Sequence, residues 1–343
     1  MRHLLNTLFV LTEDCYLTLD GENVVVSREK AETARFPLHT LESILCFTYP
    51  GASPSLMGAC AGHGIDLCFF SPRGRFLARA VGEERGNVLL RRQQHRVADS
   101  GEGSCRYARG FILGKVYNSR WILERATRDH PQRVPADKLK RLSAQMAAAL
   151  PLIETCEDLS QLLGLEGEAA QRYFDGFGEL ILQQREAFAF TVRSRRPPLD
   201  NINALLSFAY TLLAHDIRSA LETAGLDPAV GFLHRDRPGR PGLALDMMEE
   251  FRPYLVDRLV CTLINRGQIR SEQFRKTESG AVLMSDDLRR EILLAWQNRK
   301  KETVMHPFLK EKMPVGLLWH MQARLLARTL RGDQSEYPPF TVR

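Results

Sequence analysis

The spacing of apolar residues changes near Gly82, and that change limits the possible architecture more than any other feature. Before it, apolar residues come in short β-branched or aromatic runs: Thr7–Leu11, Tyr16–Leu19, Val24–Val26, Ser43–Phe47, Ile65–Phe70 and Phe76–Ala80. Asp20-Gly21-Glu22-Asn23 supplies a turn between the second run and the third, and Ser71-Pro72-Arg73-Gly74 between the last two. One short helix interrupts the strands. Ser53 has the hydroxyl of an N-cap, Pro54 suits the first helical position, and Gly62 and Gly64 bracket the end. After Gly82 a 3.6-residue period takes over, in Phe111–Ala126, Leu139–Leu150, Ala169–Ala187, Ile202–Ala224, Met247–Ile264 and Leu317–Leu330. Residues 274–283 read as a hairpin among these helices, and the tail from Gly332 is turn-rich. The expected fold class is α+β multidomain. A small β domain covers residues 1–82, a linker and first helix cover 83–100, and a larger all-α domain covers 101–343.

The 343 residues leave room for two domains, and 44% hydrophobic with 26% charged residues describes an ordinary folded chain. Seven cysteines, an odd number without C-x-x-C spacing, read as buried reduced thiols in the cytoplasm. The N-terminus lacks a basic-then-apolar leader, and no apolar stretch approaches the ~20 residues of a membrane span. A cytoplasmic protein with no membrane partner is expected. The net charge of +6 favours polyanionic partners. Arginines cluster as Arg73, Arg75 and Arg79; Arg91, Arg92 and Arg96; Arg193, Arg195 and Arg196; and Arg235, Arg237 and Arg240. Each cluster either grips phosphate, which guanidinium forks suit, or solvates a surface.

Several chemistries lack their signatures. There is no G-x-x-x-x-G-K-[ST] loop, no H-E-x-x-H and no G-x-S-x-G elbow, so ATP hydrolysis, zinc proteolysis and α/β-hydrolase chemistry are unsupported. The run Gly225–His234 stands out instead. Gly225 suits a left-handed cap on the long preceding helix, Asp227-Pro228 turns the chain, and Gly231 lets the backbone pass closely. A helix restarts near Leu243 and puts Asp246 and Glu249, three residues apart, on one face. Two carboxylates beside an imidazole offer ligand types for Mn2+ or Mg2+, although a lone histidine this far from its acids is commonly structural. Glu166, beside Gly167 and close to the start of the Ala169–Ala187 period, either adds a third acid or complements a helix N-terminus.

Taken together, several segments in one order resemble a known family. Gly164-Leu165-Glu166-Gly167 with Tyr173-Phe174, then Arg195–Ser207, Gly225–His234 and Asp246–Pro253, are similar to the large subunit of the CRISPR adaptation complex. That subunit is the endonuclease/integrase of spacer acquisition. Leu4–Val26 resembles its first strands, and the arrangement most resembles the type I-C branch. The resemblance implies a β-sandwich-like N-terminal domain and a helical catalytic domain. It implies that Glu166, His234 and Glu249 bind Mn2+ or Mg2+ and carry catalysis. Asp246 falls where relatives have a further acid, as a supporting group or alternative ligand. It also implies double-stranded DNA as substrate (protospacer and CRISPR repeat), a homodimer through the β domain, and a small second adaptation subunit completing a heterohexamer. The Tyr337-Pro338-Pro339-Phe340 tail is a docking segment or a capped end.

Two other classes share parts of this pattern. A DNA-binding assembly subunit without catalysis would carry the same arginines and need no acid/histidine set. A metallohydrolase of small phosphate esters would need the ligands but not the spread of basic loops.

Overall fold

The computed structural model describes residues 6–71, 76–83 and 88–342. The turn at Pro72-Arg73-Gly74, Arg75, residues 84–87 of the expected linker and the opening residues before Asn6 lie outside them. Strands β1 (Thr7–Val10), β2 (Cys15–Asp20), β3 (Asn23–Arg28), β4 (Ala31–Pro37) and β5 (Ser43–Cys46) precede helix α1 (Pro54–His63), and β6 (Asp66–Phe70) and β7 (Phe76–Ala80) follow it. They form two sheets. β2, β3 and β4 make an antiparallel meander, whereas β5 runs parallel to both β1 and β6, with β7 antiparallel at the edge. Ser53 caps α1 by accepting the Leu56 N–H, and Gly64 ends it in the left-handed region at φ 71°. Leu17, Val24, Ile44, Leu56, Cys60 and Leu67, all below 1% exposed, form the centre of the core these elements share.

Helices then dominate: α2 (Val88–Asp99), α3 (Gly101–Asp129), α4 (Ala136–Glu154), α5 (Leu159–Phe177), α6 (Asn201–Thr223), α7 (Gly242–Phe251) and α8 (Arg258–Asn265). A two-stranded hairpin, β8 (Phe274–Lys276) with β9 (Val282–Met284), separates them from α9 (Asp286–Lys301) and α10 (Leu318–Arg331). Among the described residues no helix is long and apolar enough to cross a membrane. The chain divides into two compact units. The first is Met1–Gly86 with Arg290–Thr303 and Pro314–Leu317; the second holds Asn87–Arg289, Val304–Met313 and Leu318–Arg343. Most of α9 thus groups with the β-rich unit, a membership that helical periodicity alone cannot reveal.

In the helical unit α3 is the axis, packing against α4, α5 and α7. Two expected helices have different limits. The Ala169–Ala187 period corresponds to α5, which begins ten residues earlier, where Asp158 accepts the Gln161 N–H at 2.7 Å. It stops at Phe177 and tightens into a 3₁₀ turn, Gly178–Leu180. The Met247–Ile264 period is not one α-helix, because Arg252–Asp257 forms a π-helical turn between α7 and α8. Pro253 lies in that turn, where its missing N–H disrupts the α ladder.

The tail folds back onto this unit. Asn118 on α3 donates to the carbonyls of Glu250 (2.8 Å) and Phe340 (2.9 Å) and accepts the Val342 N–H at 2.8 Å. Gly114, one turn earlier on α3, makes room. A Cβ there would stand 2.9 Å from Glu250 Cγ and 3.2 Å from the Phe340 carbonyl oxygen. The tail is a packed strap whose Tyr337, Phe340 and Val342 side chains are buried.

Candidate metal centre

Three helices of this unit converge on one ammonium group. Lys115 projects from α3, and its Nζ contacts Glu166 Oε1 on α5 and lies 2.8 Å from Glu249 Oε2 on α7. Its side chain is only 14% exposed, against 21% for Glu166 and 4% for Glu249. Glu166 therefore stands in the body of α5 and turns inward, which rules out a role at the helix N-terminus. Its neighbour Glu168 points outward and pairs with Arg172 on the same helix.

The second carboxylate has a further cation. Arg252 Nη1 donates to Glu249 Oε1 at 2.6 Å, and its guanidinium stacks over the Tyr210 ring at 5.3 Å. Burial alone would raise the Glu249 carboxyl, but Arg252, Lys115 and the His234 ring outweigh it and hold it down at about 2. Tyr210 extends the arrangement inward. Its hydroxyl and that of Tyr173 donate to the two oxygens of Asp257, at 2.5 and 2.9 Å, while burial pushes Asp257 up to about 6.

His234 is delivered by the loop between α6 and α7, which is fixed at both ends. Gly225, at φ 82°, closes α6 as expected. Gln94 on α2, fully buried, donates to the carbonyls of Asp227 (2.7 Å) and Val230 (2.8 Å) and accepts the Asp227 N–H at 2.9 Å. Gly231 then passes so near α7 that a Cβ would fall 2.6 Å from the Gly242 carbonyl carbon and 2.9 Å from Asp246 Oδ2. Asp246 receives the loop. Its Oδ2 accepts the N–H groups of Phe232 (2.6 Å) and Leu233 (2.9 Å), and its Oδ1 accepts that of His234 (2.8 Å) and lies 2.7 Å from the ring Nδ1. The imidazole is thereby oriented with Nδ1 committed to the carboxylate and Nε2 left for another partner.

The structure thus brings Glu166 and Glu249 to a common cation and holds His234 on Asp246, three residues before Glu249 on the same helix. It does not close them around a metal-sized point. Among the described residues no group of three or more His, Cys, Asp or Glu side chains is so assembled, and Lys115 fills the space between the two glutamates. The donor set nonetheless fits a hard or borderline divalent ion, with two carboxylates and one neutral-capable imidazole. Glu249 Oε2 strengthens the fit. It is a buried anionic oxygen that faces the Lys115 ammonium without a hydrogen bond of good geometry.

Neither Lys115 nor Gln94 stands out in the sequence, and Arg252 lies within the Asp246–Pro253 segment with nothing local to mark its role. A lone lysine inside the apolar period Phe111–Ala126 was the available signal for the first. Nothing local marks Gln94, whose partners are more than 130 positions away. The arginine clusters divide. Arg193 is structural, bonding Asn203 Oδ1 at 2.5 Å and Ser207 Oγ at 3.2 Å, and Arg79 pairs with Asp66 at 2.8 Å. Arg195, Arg196, Arg235 and Arg237 are exposed.

Comparison with known proteins gives the class first: the chain is a CRISPR-associated endonuclease. Within that class it belongs to the Cas1 family, since the model for CRISPR associated protein Cas1 matches residues 8–298. The CRISPR-associated endonuclease Cas1 1 of Chlorobaculum tepidum is 52% identical over 343 residues, covering 100% of both chains. A casposase bound to integration product has a TM-score of 0.81 at 22% identity, covering 97% of this chain and 93% of that one. A Cas6-RT-Cas1–Cas2 complex chain gives 0.78 at 24% identity, covering 98% of this chain and 36% of that one. At those identities the structural likeness speaks for the fold. A divalent metal is implied by the endonuclease family.

Proposed function

We propose that Glu166, His234 and Glu249 hold a divalent cation, Mn2+ or Mg2+, with which the chain cleaves and joins DNA strands as new spacers enter a CRISPR array. The observation that carries this reading is the convergence of Glu166 and Glu249, from two helices, on the Lys115 cation. When bound, the ion supplies charge stabilisation at a scissile phosphate and eases ionisation of the attacking hydroxyl. The chain's own residues prepare for it. Glu166 and Glu249 offer oxygen ligands, and His234 offers Nε2 because Asp246 takes Nδ1. Asp246, with its oxygens spent on three backbone N–H groups and the ring, acts as the positioning residue. Arg252 fixes the rotamer of Glu249 through Oε1. The same arrangement serves water in hydrolysis and a DNA 3′-hydroxyl in strand transfer, since both routes develop charge on the same phosphate oxygens.

The exposed Arg195, Arg196, Arg235 and Arg237 flank the segments that carry the site and suit contacts to the DNA backbone. The substrates are double-stranded DNA, as protospacer and CRISPR repeat, and the work takes place in the cytoplasm. The β-rich residues 1–82 supply the homodimer contact. Cas2, the partner named for the related complex, is the small second subunit of a heterohexamer. Cleavage and strand-transfer assays with Mn2+, with EDTA and with His234→Ala test the core of this reading. Both activities are expected to fall to background in EDTA and in the variant. Undiminished activity of His234→Ala in Mn2+ would overturn it.

A further inference from the structure

Lys115 raises a question that the proposed metal centre does not answer by itself. Around Glu249 the charges already balance without a metal: Glu166 and Glu249 contribute two negative charges, Lys115 and Arg252 two positive ones. All four side chains are at most 21% exposed, so solvent screening is weak. With the buried Asp246 carboxylate behind His234 counted as well, a divalent ion added to that set would leave a surplus of one positive charge in a buried space. Departure of one resident cation removes it.

Arg252 is the poorer candidate to leave. Its guanidinium is held by Glu249 Oε1 at 2.6 Å and by the Tyr210 face at 5.3 Å, and Tyr210 is itself anchored to Asp257. Lys115 differs on each count. Among the described residues its ammonium meets Glu166 and Glu249 and is tied to no backbone or aromatic group. It sits on a four-carbon stem whose tip can swing several ångströms without moving α3. Its contact with Glu249 Oε2, at 2.8 Å, is one of charge and not of an aligned hydrogen bond, so an incoming divalent cation can take over the same role at that oxygen.

We infer that Lys115 is an internal counter-cation: in the metal-free protein it holds Glu166 and Glu249 together in ligand positions, and the divalent ion displaces it. The inference rests on the metal reading above. Without Lys115 two buried carboxylates would repel each other and spread apart, or one would take up a proton. With it the ligand pair is preformed, at the cost of competition with the metal for the same oxygens. Lys115 is thus a positioning residue for the empty centre, and it weakens metal affinity while stabilising the fold.

Two measurements on the full chain test this: Mn2+ titration by calorimetry and thermal unfolding in EDTA. Wild type is compared with Lys115→Met, Lys115→Gln and Lys115→Arg. Removing the charge is expected to tighten Mn2+ binding by about tenfold or more and to lower the midpoint in EDTA. Mn2+ then restores that midpoint by mass action. Lys115→Arg is expected to stay near wild type in both. A methionine variant recovered only in the presence of Mn2+ supports the inference, and Lys115→Gln, which keeps an uncharged N–H donor group, gives the affinity if methionine does not fold. Unchanged or weaker Mn2+ binding in the uncharged variants overturns it. His234→Ala separates the two readings: if wild-type Mn2+ heat survives that change, the metal assignment fails, whatever Lys115 does.

Discussion

Glu249 and Glu250 are adjacent in the chain and both are buried, yet their surroundings hold them in opposite states. Glu249 faces two cations, Lys115 and Arg252, and stays ionised down to about 2. Glu250 turns to the other side of α7 and meets neutral donors: the Tyr337 hydroxyl, Gln322 Nε2 at 3.0 Å and the Phe340 N–H. Burial pushes it up to about 8 against those hydrogen bonds. Depth is the same on both sides, so depth does not decide the charge. The partners do. Full positive charges keep a buried carboxylate anionic, whereas dipoles alone leave it holding a proton at neutral pH. One face of a helix thus bears a proposed ligand and the next a structural knot.

The comparison can be broken most forcefully by exchanging each acid for its amide. Glu249→Gln removes the anion, leaving Arg252 without its carboxylate and Lys115 with Glu166 alone. DNA cleavage and joining should fall by about a thousandfold or more, the scale of several kcal/mol of lost metal stabilisation. Glu250→Gln should stay within a few-fold in the same assays. Equal losses would mean that both acids serve one function. Asp246→Asn comes next. It disturbs the carboxylate behind His234 and should weaken Mn2+ affinity by about ten- to a hundredfold, read by calorimetry.

A smaller effect lies in the pH dependence of stability. Glu250 has a folded value raised above its ordinary 4.5 to about 8. Its contribution is therefore complete below 4.5 and is lost as pH rises through about 8. Glu249 has the opposite sign, with a contribution present above 4.5 and lost as pH falls through about 2. Unfolding midpoints measured between pH 5 and 9 should decline less in Glu250→Gln than in wild type, by several °C. Parallel profiles would remove Glu250 as the titrating group. Tyr337→Phe should have the least effect, about 1 kcal/mol of stability for one lost hydroxyl donor, with Mn2+ affinity unmoved.

How far the sequence reached depended on whether the deciding interactions were local. Ser53, Pro54 and Gly64 delimit α1 through contacts within one turn, and Gly225 ends α6 in the same way. Those limits are legible because backbone geometry alone demands the residue types. β4 escaped because in Ala31–Pro37 only Ala34 and Phe36 pack against the core and the rest is largely exposed, too weak an alternation to read as a strand; pairing with β3 creates it. The early start of α5 escaped because Gly164 and Gly167 depress helix propensity, and packing on α3 and α4 overrides them. In the site, spacing put Asp246 and Glu249 on one face, and family resemblance added Glu166. Lys115 and Gln94 act across long chain separations that no local pattern encodes.

The strap over α7 bears on how the protein is made. Phe340 supplies a donor to Glu250 from 90 residues further along the chain. During synthesis, every intermediate that ends short of Tyr337 lacks the Tyr337 hydroxyl and the Phe340 N–H, and its Glu250 has at most Gln322 as a side-chain donor, on the same helix that carries Glu249. The interior on that side of the helix is therefore closed by residues made 87 or more positions after the acid they cover, and the order of synthesis makes this the last packing step next to the proposed centre.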